Sequence, residues 1–242
     1  MKVTIERGAL LKALKTVKLG SQKTQSGEKF FYDAVVIAIE PGSDTVIRLT
    51  CAEPNQPKLV TTTVPASASY ASTDASSEIF AVNVRTLLRL VSMLRGETVT
   101  LIAEDYPKPF LQLVLADDAY DIKVKIPTVP LERAYAAHVK YHTPNQPAPG
   151  LLHAAHRVWF AASTEPARPA LQSVCFNGSV VATDGFRIAV LPEAIDGVQG
   201  LIPAVILRLA KHVFGYFTDL MVDIRDGRFA VGDGITTIET NM

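Results

Sequence analysis

Apolar residues recur at helical spacing in four places along the chain. They are Leu10, Leu14 and Val17 in 9–19, and Leu87, Val91 and Leu94 in 84–95. Further on they are Leu151, Ala155 and Trp159 in 151–163, and Ile206, Leu209 and Val213 in Ala204–Phe214. Steps of three and four residues put each set on one face of a helix. Between these segments lie short runs rich in β-branched residues, which predict strands at 31–40, 46–50, 98–104, 110–115, 120–126, 220–225, 228–231 and 236–240. Asp226-Gly227 and Asp233-Gly234 mark turns between the last three.

The pattern occurs twice. Ala9-Leu10-Leu11-Lys12-Ala13-Leu14-Lys15-Thr16-Val17 aligns with Gly150-Leu151-Leu152-His153-Ala154-Ala155-His156-Arg157-Val158, apolar on apolar. Leu88-Arg89-Leu90, with Gly96 beyond it, aligns with Leu207-Arg208-Leu209 and Gly215. Each copy reads helix, strands, helix, strands, and the first is longer. Its surplus is expected in the Ser/Thr/Ala-rich stretch 66–77. Pro127, Pro130, Pro144, Pro147 and Pro149 mark an extended connector over 127–149. The expected fold class is α+β, with two domains, 1–130 and 131–242. Each would place two helices on one face of antiparallel sheet.

Charge changes the picture through its placement. The chain holds 24 Lys and Arg and 24 Asp and Glu, a net charge of zero. Yet the four helical segments contain no Asp or Glu at all. They do contain Lys12, Lys15, Lys18, Arg85, Arg89, Arg95, Arg157, Arg208 and Lys211, with His153, His156 and His212. Solvated helices ordinarily mix the two signs, because opposite charges at (i, i+4) support the helix. Four faces without acid point instead to a polyanion. The cations are scattered, without a cluster suited to reading base edges, so the expected contact is with duplex backbone. Aromatic residues make up 7% and are not interleaved with the cations along the chain, which argues against a single-strand stacking platform. The three histidines are expected to strengthen DNA contact as pH falls toward ~6.5.

Other chemistry is not visible. There is no Gly-rich phosphate loop, zinc spacing or Gly-x-Ser-x-Gly elbow. His138 and His142 lie four apart in the connector, and Asp184 beside Gly185 reads as turn chemistry. Cys51 and Cys175 read as inert buried thiols of a reducing compartment. The start of the chain lacks a signal-peptide core, and no apolar run approaches a membrane span. The expectation is a soluble cytoplasmic protein that is not an enzyme and needs no metal or cofactor.

At Ala182-Thr183-Asp184-Gly185-Phe186-Arg187-Ile188 the chain resembles the bacterial DNA sliding clamp, the beta subunit family of DNA polymerase III. That family usually carries His at the position of Phe186. Residues 1–14, Glu165-Pro166-Ala167-Arg168-Pro169-Ala170-Leu171 and Phe229-Ala230-Val231-Gly232-Asp233-Gly234 resemble the family in the same order. The resemblance implies two DNA-clamp-like domains, and a ring of six such domains around duplex DNA that acts as a processivity factor. Helices would line the hole, with Lys12, Lys15, Lys23, Arg85, Arg89, His153, His156, Arg157, Arg208 and Lys211 facing DNA. Arg168, Leu171, Thr183, Gly185, Phe186, Arg187 and Ile188 would floor a pocket for DNA polymerase and clamp-loader peptides. Family members usually have three domains, and this chain matches the first two. Three copies could then close a homotrimeric ring of six domains. The alternative is a clamp-derived peptide-binding module, or decoy, that does not encircle DNA.

Overall fold

The computed structural model describes residues 2–25, 28–40, 45–53, 58–69, 78–104, 112–117, 122–140, 142–216 and 219–241. It divides into two units, Met1–Lys140 and Tyr141–Met242.

The first unit runs β1 (Lys2–Glu6), α1 (Arg7–Val17), β2 (Ala34–Glu40), β3 (Val46–Glu53), β4 (Lys58–Pro65), β5 (Ser67–Ser69), β6 (Glu78–Asn83), α2 (Val84–Met93), β7 (Thr98–Glu104), β8 (Gln112–Asp117) and β9 (Ile122–Pro127). One antiparallel sheet has the order β5-β1-β7-β8-β9, and β4-β3-β2-β6 pair in a second set. The expected faces of both helices are buried: Leu10, Leu14 and Val17 of α1, and Leu87 and Val91 of α2 with Leu94 just after it. Asn83 caps α2, its Oδ1 accepting from the backbone N–H of Arg85 (3.1 Å) and Thr86 (3.0 Å). The Asn83 amide in turn donates to the buried Asp33 carboxylate at 2.8 Å.

The second unit runs β10 (Gln146–Pro147), α3 (Leu151–Val158), β11 (Ser173–Phe176), β12 (Val180–Thr183), β13 (Ile188–Leu191), β14 (Gly200–Pro203), α4 (Ala204–Phe214), β15 (Met221–Arg225), β16 (Arg228–Gly232) and β17 (Thr236–Asn241). Here β10-β15-β16-β17 pair in one set and β13-β12-β11-β14 form a four-stranded sheet. Helix α3 packs on β12 and β13, and α4 on β11 and β14. Asp226 (φ 52°) and Gly227 (φ 70°) close the β15–β16 hairpin in left-handed conformation, as the sequence signal requires. The order of elements thus repeats, with one extra short strand, β5, in the first unit.

Several expectations need correction. The third helix ends at Val158, and Trp159–Ala161 continues as a 3-10 turn rather than running to 163. The buried face of α4 is Ile206, Leu207 and Ala210; Leu209 and Val213 are only half-buried. The connector is not simply extended. Leu131–Arg133 and Tyr135–His138 form 3-10 turns, and Ala134 and Ala136 are buried in a cluster with Ala34, Ala52 and Ala81. Small side chains let this proline-flanked segment lie flat on the first unit, which runs to Lys140, within the expected connector. Cys51 is buried, and burial pushes its thiol far up, with the Asp33 charge adding to the effect. Cys175 is only half-buried. Positions 70–77 of the expected surplus, and the first two residues of the strands expected at 110–115 and 120–126, lie outside the described residues.

Candidate nucleic-acid face and peptide-docking surface

The cations of α1 and α2 stand on helices that touch one another, with their apolar faces turned to the sheets. Lys12, Lys15, Arg85 and Arg89 are all exposed. Among the described residues none of the four pairs with a carboxylate. None of α1, α2, α3 and α4 carries an acidic residue in its first turn. Lys23 is exposed as well, but on the segment beyond α1 rather than on a helix.

In the second unit α3 and α4 are also neighbours, and here the basic residues meet aromatic ones. Lys211 Nζ lies 3.1 Å from His156 Nε2, and the Tyr216 hydroxyl lies 2.7 Å from His156 Nδ1. Arg208 Nη2 donates to the Trp159 carbonyl at 3.0 Å. Arg157 and Glu193 approach at 3.7 Å with both side chains about half exposed (52% and 60%), a contact worth about 0–1 kcal/mol. His153 and His212 are exposed.

This geometry corrects the joint titration expected for the three histidines. Loss of hydration among its neighbours, then the positive charge of Lys211 and the nearby His153, hold the His156 imidazole below the ordinary value of 6.5. As pH falls through that ordinary value, the unfolded chain takes up the proton first, so His156 lowers stability there instead of adding charge to the face. In a titration followed by the His156 ring resonances, the midpoint is expected below 6.5. A midpoint at or above it would break the assigned Lys211 contact.

The residues expected to bind peptides do come together. Strands β12 and β13 pair from Val180↔Leu191 to Thr183↔Ile188 and enclose the turn Asp184-Gly185-Phe186-Arg187. Thr183 Oγ1 donates to the Arg187 carbonyl (2.7 Å) and accepts from the Gly185 N–H (3.1 Å). Asp184 Oδ1 accepts from the N–H groups of Phe186 (2.9 Å) and Arg187 (3.0 Å), and its Oδ2 meets Arg187 Nε at 3.0 Å. Gly185 has φ 93°, which favours glycine. A methyl group there would sit 3.6 Å from Arg168 Nη1 and 3.9 Å from Leu171 Cδ1, so both of those residues border the turn.

The fixed turn leaves Phe186 96% exposed and Ile188 66% exposed. Alternation along the strands extends this apolar surface. Val190, Val181, Cys175 and Leu201 stand in register across β13, β12, β11 and β14. Val190 and Leu201 are exposed, while their in-register neighbours Val181 and Cys175 are half-buried. Asp184 does the turn chemistry expected of it. Its two backbone hydrogen bonds, and then Arg187, hold its carboxyl below the ordinary 3.8. That stabilisation is fully present above 3.8 and is lost as pH falls through the lowered value. Peptide docking on this turn is therefore expected to be flat across neutral pH in a binding titration; a midpoint near neutrality would remove Asp184 as its anchor.

Sequence reasoning put Trp159 on the apolar face of the third helix and did not find Phe160 or Tyr216; Trp159 is only half-buried, in the 3-10 turn, with Lys211 over its ring. Phe160 is 58% exposed, Tyr216 is 48% exposed, and Arg187 Nη2 donates to the Phe160 carbonyl at 3.0 Å. No signal along the chain marks Phe160 or Tyr216 as exposed, because exposure is settled by which helix face packs. His138 and His142, four apart in the connector, take separate partners. His138 Nε2 meets the Glu132 carbonyl at 3.0 Å, while His142 Nδ1 meets the buried Glu239 carboxylate at 2.8 Å. Among the described residues no cluster of His, Cys, Asp and Glu could hold a metal, and no helix is long and apolar enough to cross a membrane.

No family model and no curated protein matches the chain. Solved structures do. The DNA polymerase III subunit beta from Pseudomonas aeruginosa matches with a TM-score of 0.74 at 17% identity, over 100% of this chain and 64% of that one. The DNA polymerase sliding clamp from Caulobacter crescentus matches at 0.76 and 19%, over 100% of this chain and 65% of that one. The sliding clamp from Bacillus subtilis matches at 0.75 and 15%, over 100% and 64%. Identities this low carry the fold and no more. This chain has the two-unit α+β fold of the bacterial DNA polymerase III beta sliding clamps and spans about 64% of their length.

Proposed function

We propose that the chain is a DNA sliding-clamp subunit that encircles duplex DNA without sequence preference and tethers DNA polymerase and clamp-loader peptides in the cytoplasm. The observation that carries this reading is the acid-free helix pair of each unit, set on a clamp fold, with Lys12, Lys15, Arg85 and Arg89 exposed and without carboxylate partners among the described residues. The work of such a protein is topological, so it is not an enzyme and needs neither cofactor nor metal. Backbone contacts centre the duplex, and closure prevents escape.

Closure calls for a head-to-tail contact. Strand β9 ends one sheet and β13 ends another. Pairing β13 of one copy with β9 of the next would hide both edges, which otherwise invite uncontrolled association. Three copies would then supply six clamp-like units. The test is solution mass by light scattering across a concentration series, followed by retention on circular and linearised DNA. A mass near three times 26.2 kDa, with retention lost on linearisation, is expected. A persistent monomer overturns encirclement. The second reading, a peptide-docking module or decoy, would then stand. It is favoured by one observation: all seven docking residues lie within the second unit and need no other copy.

A further inference from the structure

We propose that the α3–α4 face of the second unit is a stacking site for single-stranded DNA, distinct from the duplex-backbone contact assigned to the helices in general. The face carries what a single-strand platform needs, aromatic rings interleaved with cations. His156 meets Trp159 edge-on (centroids 5.0 Å apart) and Tyr216 edge-on (5.6 Å). The Lys211 ammonium lies over both the Tyr216 ring (4.6 Å) and the Trp159 ring (5.7 Å). Beyond Trp159 comes Arg208, bonded to its carbonyl, and then exposed Phe160 with the Arg187 guanidinium 6.0 Å from its ring. Lys211 thus lies over two rings and Arg187 beside a third, with Arg208 held on the backbone carbonyl of Trp159. Arg187 is partly neutralised by Asp184, whereas Lys211 and Arg208 pair with no carboxylate among the described residues.

The internal repeat supplies an independent comparison. The positions of α1 that align with His153, His156 and Trp159 are Lys12, Lys15 and Lys18. The first unit therefore offers bare cations where the second offers rings. Duplex backbone needs only the cations, since its bases are stacked on one another and give the rings nothing to contact. Unstacked bases do use them. Lys211 now occupies the ring faces, and His156 Nε2 is its acceptor. A phosphate of the incoming strand offers the ammonium a better acceptor and leaves Tyr216 and Trp159 to the bases.

The band was invisible along the chain because its members come from 156–160, 187 and 208–216. The sequence expectation that rings and cations are not interleaved holds for order and fails for space.

Trp159 is the sole tryptophan of the chain and reports directly on the site. Thymidine oligonucleotide added to the full chain is expected to quench its fluorescence strongly and saturably, and a duplex of equal length, which meets only the cations, to change it far less. Tyr216→Leu and Phe160→Ser should each lower the oligonucleotide affinity roughly tenfold, with duplex affinity unaltered. An oligonucleotide of the same length lacking bases should bind without quenching. Equal quenching by single strand and duplex, or by the base-free strand, overturns the proposal, as does indifference to both substitutions. None of these readouts depends on ring closure, so a monomeric chain would test the site equally well.

Discussion

Exchanging Lys12, Lys15, Arg89 and Arg208 together for Glu is expected to lower duplex affinity by about three orders of magnitude at low salt. Each phosphate contact contributes about 0.9 to the slope of log affinity against log salt, so loss of four should flatten that slope by about 3 to 4. The fold should survive. All four residues are exposed, and only Arg208 makes a hydrogen bond that would be lost, to the Trp159 carbonyl. Such a bond is worth about 1 kcal/mol. Circular dichroism and denaturation midpoints would establish that the quadruple variant is folded before binding is measured. Replacement by Gln in place of Glu should give a smaller loss with a similar change in slope, since Gln removes the contact without adding repulsion. A slope unchanged in either variant would mean that DNA, if bound, lies elsewhere.

Two phenylalanines ten residues apart should answer in opposite ways. Phe176 is 1% exposed on the inner face of β11, under α4, and Phe186 is 96% exposed at the tip of the β12–β13 turn. Phe176→Ala removes a full aromatic side chain from a close-packed core and should cost about 3–5 kcal/mol. That is a third or more of the stability of many domains. Urea unfolding would show it as a fall in midpoint. Phe186→Ser should shift stability by less than about 0.5 kcal/mol, because little water is displaced from its ring. It should nevertheless abolish binding of polymerase-derived peptides, for which the ring is the largest exposed apolar anchor of the surface. Peptide binding that survives Phe186→Ser would remove this turn from the docking site, and a stable Phe176→Ala would contradict the packing of β11.

The α+β class, the repeated order of elements and the helix faces of α1 and α2 were legible in the sequence. They rest on short-range periodicity, and the sheets required those faces to be buried where the pattern put them. The turn residues were legible for the same reason: Asp226, Gly227 and Gly185 take left-handed backbone conformations, and Asp184 accepts hydrogen bonds from the turn's own N–H groups. The charge segregation was also a property of the chain alone, since composition by segment needs no coordinates.

Tertiary structure decided what depends on long-range packing. Burial of Leu207 in place of Leu209 follows from how α4 is rolled on β11 and β14, which an evenly apolar helix does not specify. The folding of 131–138 onto the first unit depended on two alanines fitting a shallow cluster, while its prolines spoke only for local extension. Neither the exposure of Phe186 nor the meeting of Lys211 with His156, Trp159 and Tyr216 has any trace in sequence spacing. The elements and the sign of the charge they carry are readable along the chain, because both are local. Only the fold decided which rings meet which cations, because that contact joins segments about fifty residues apart, and the packing of α3 against α4 alone brings them within reach.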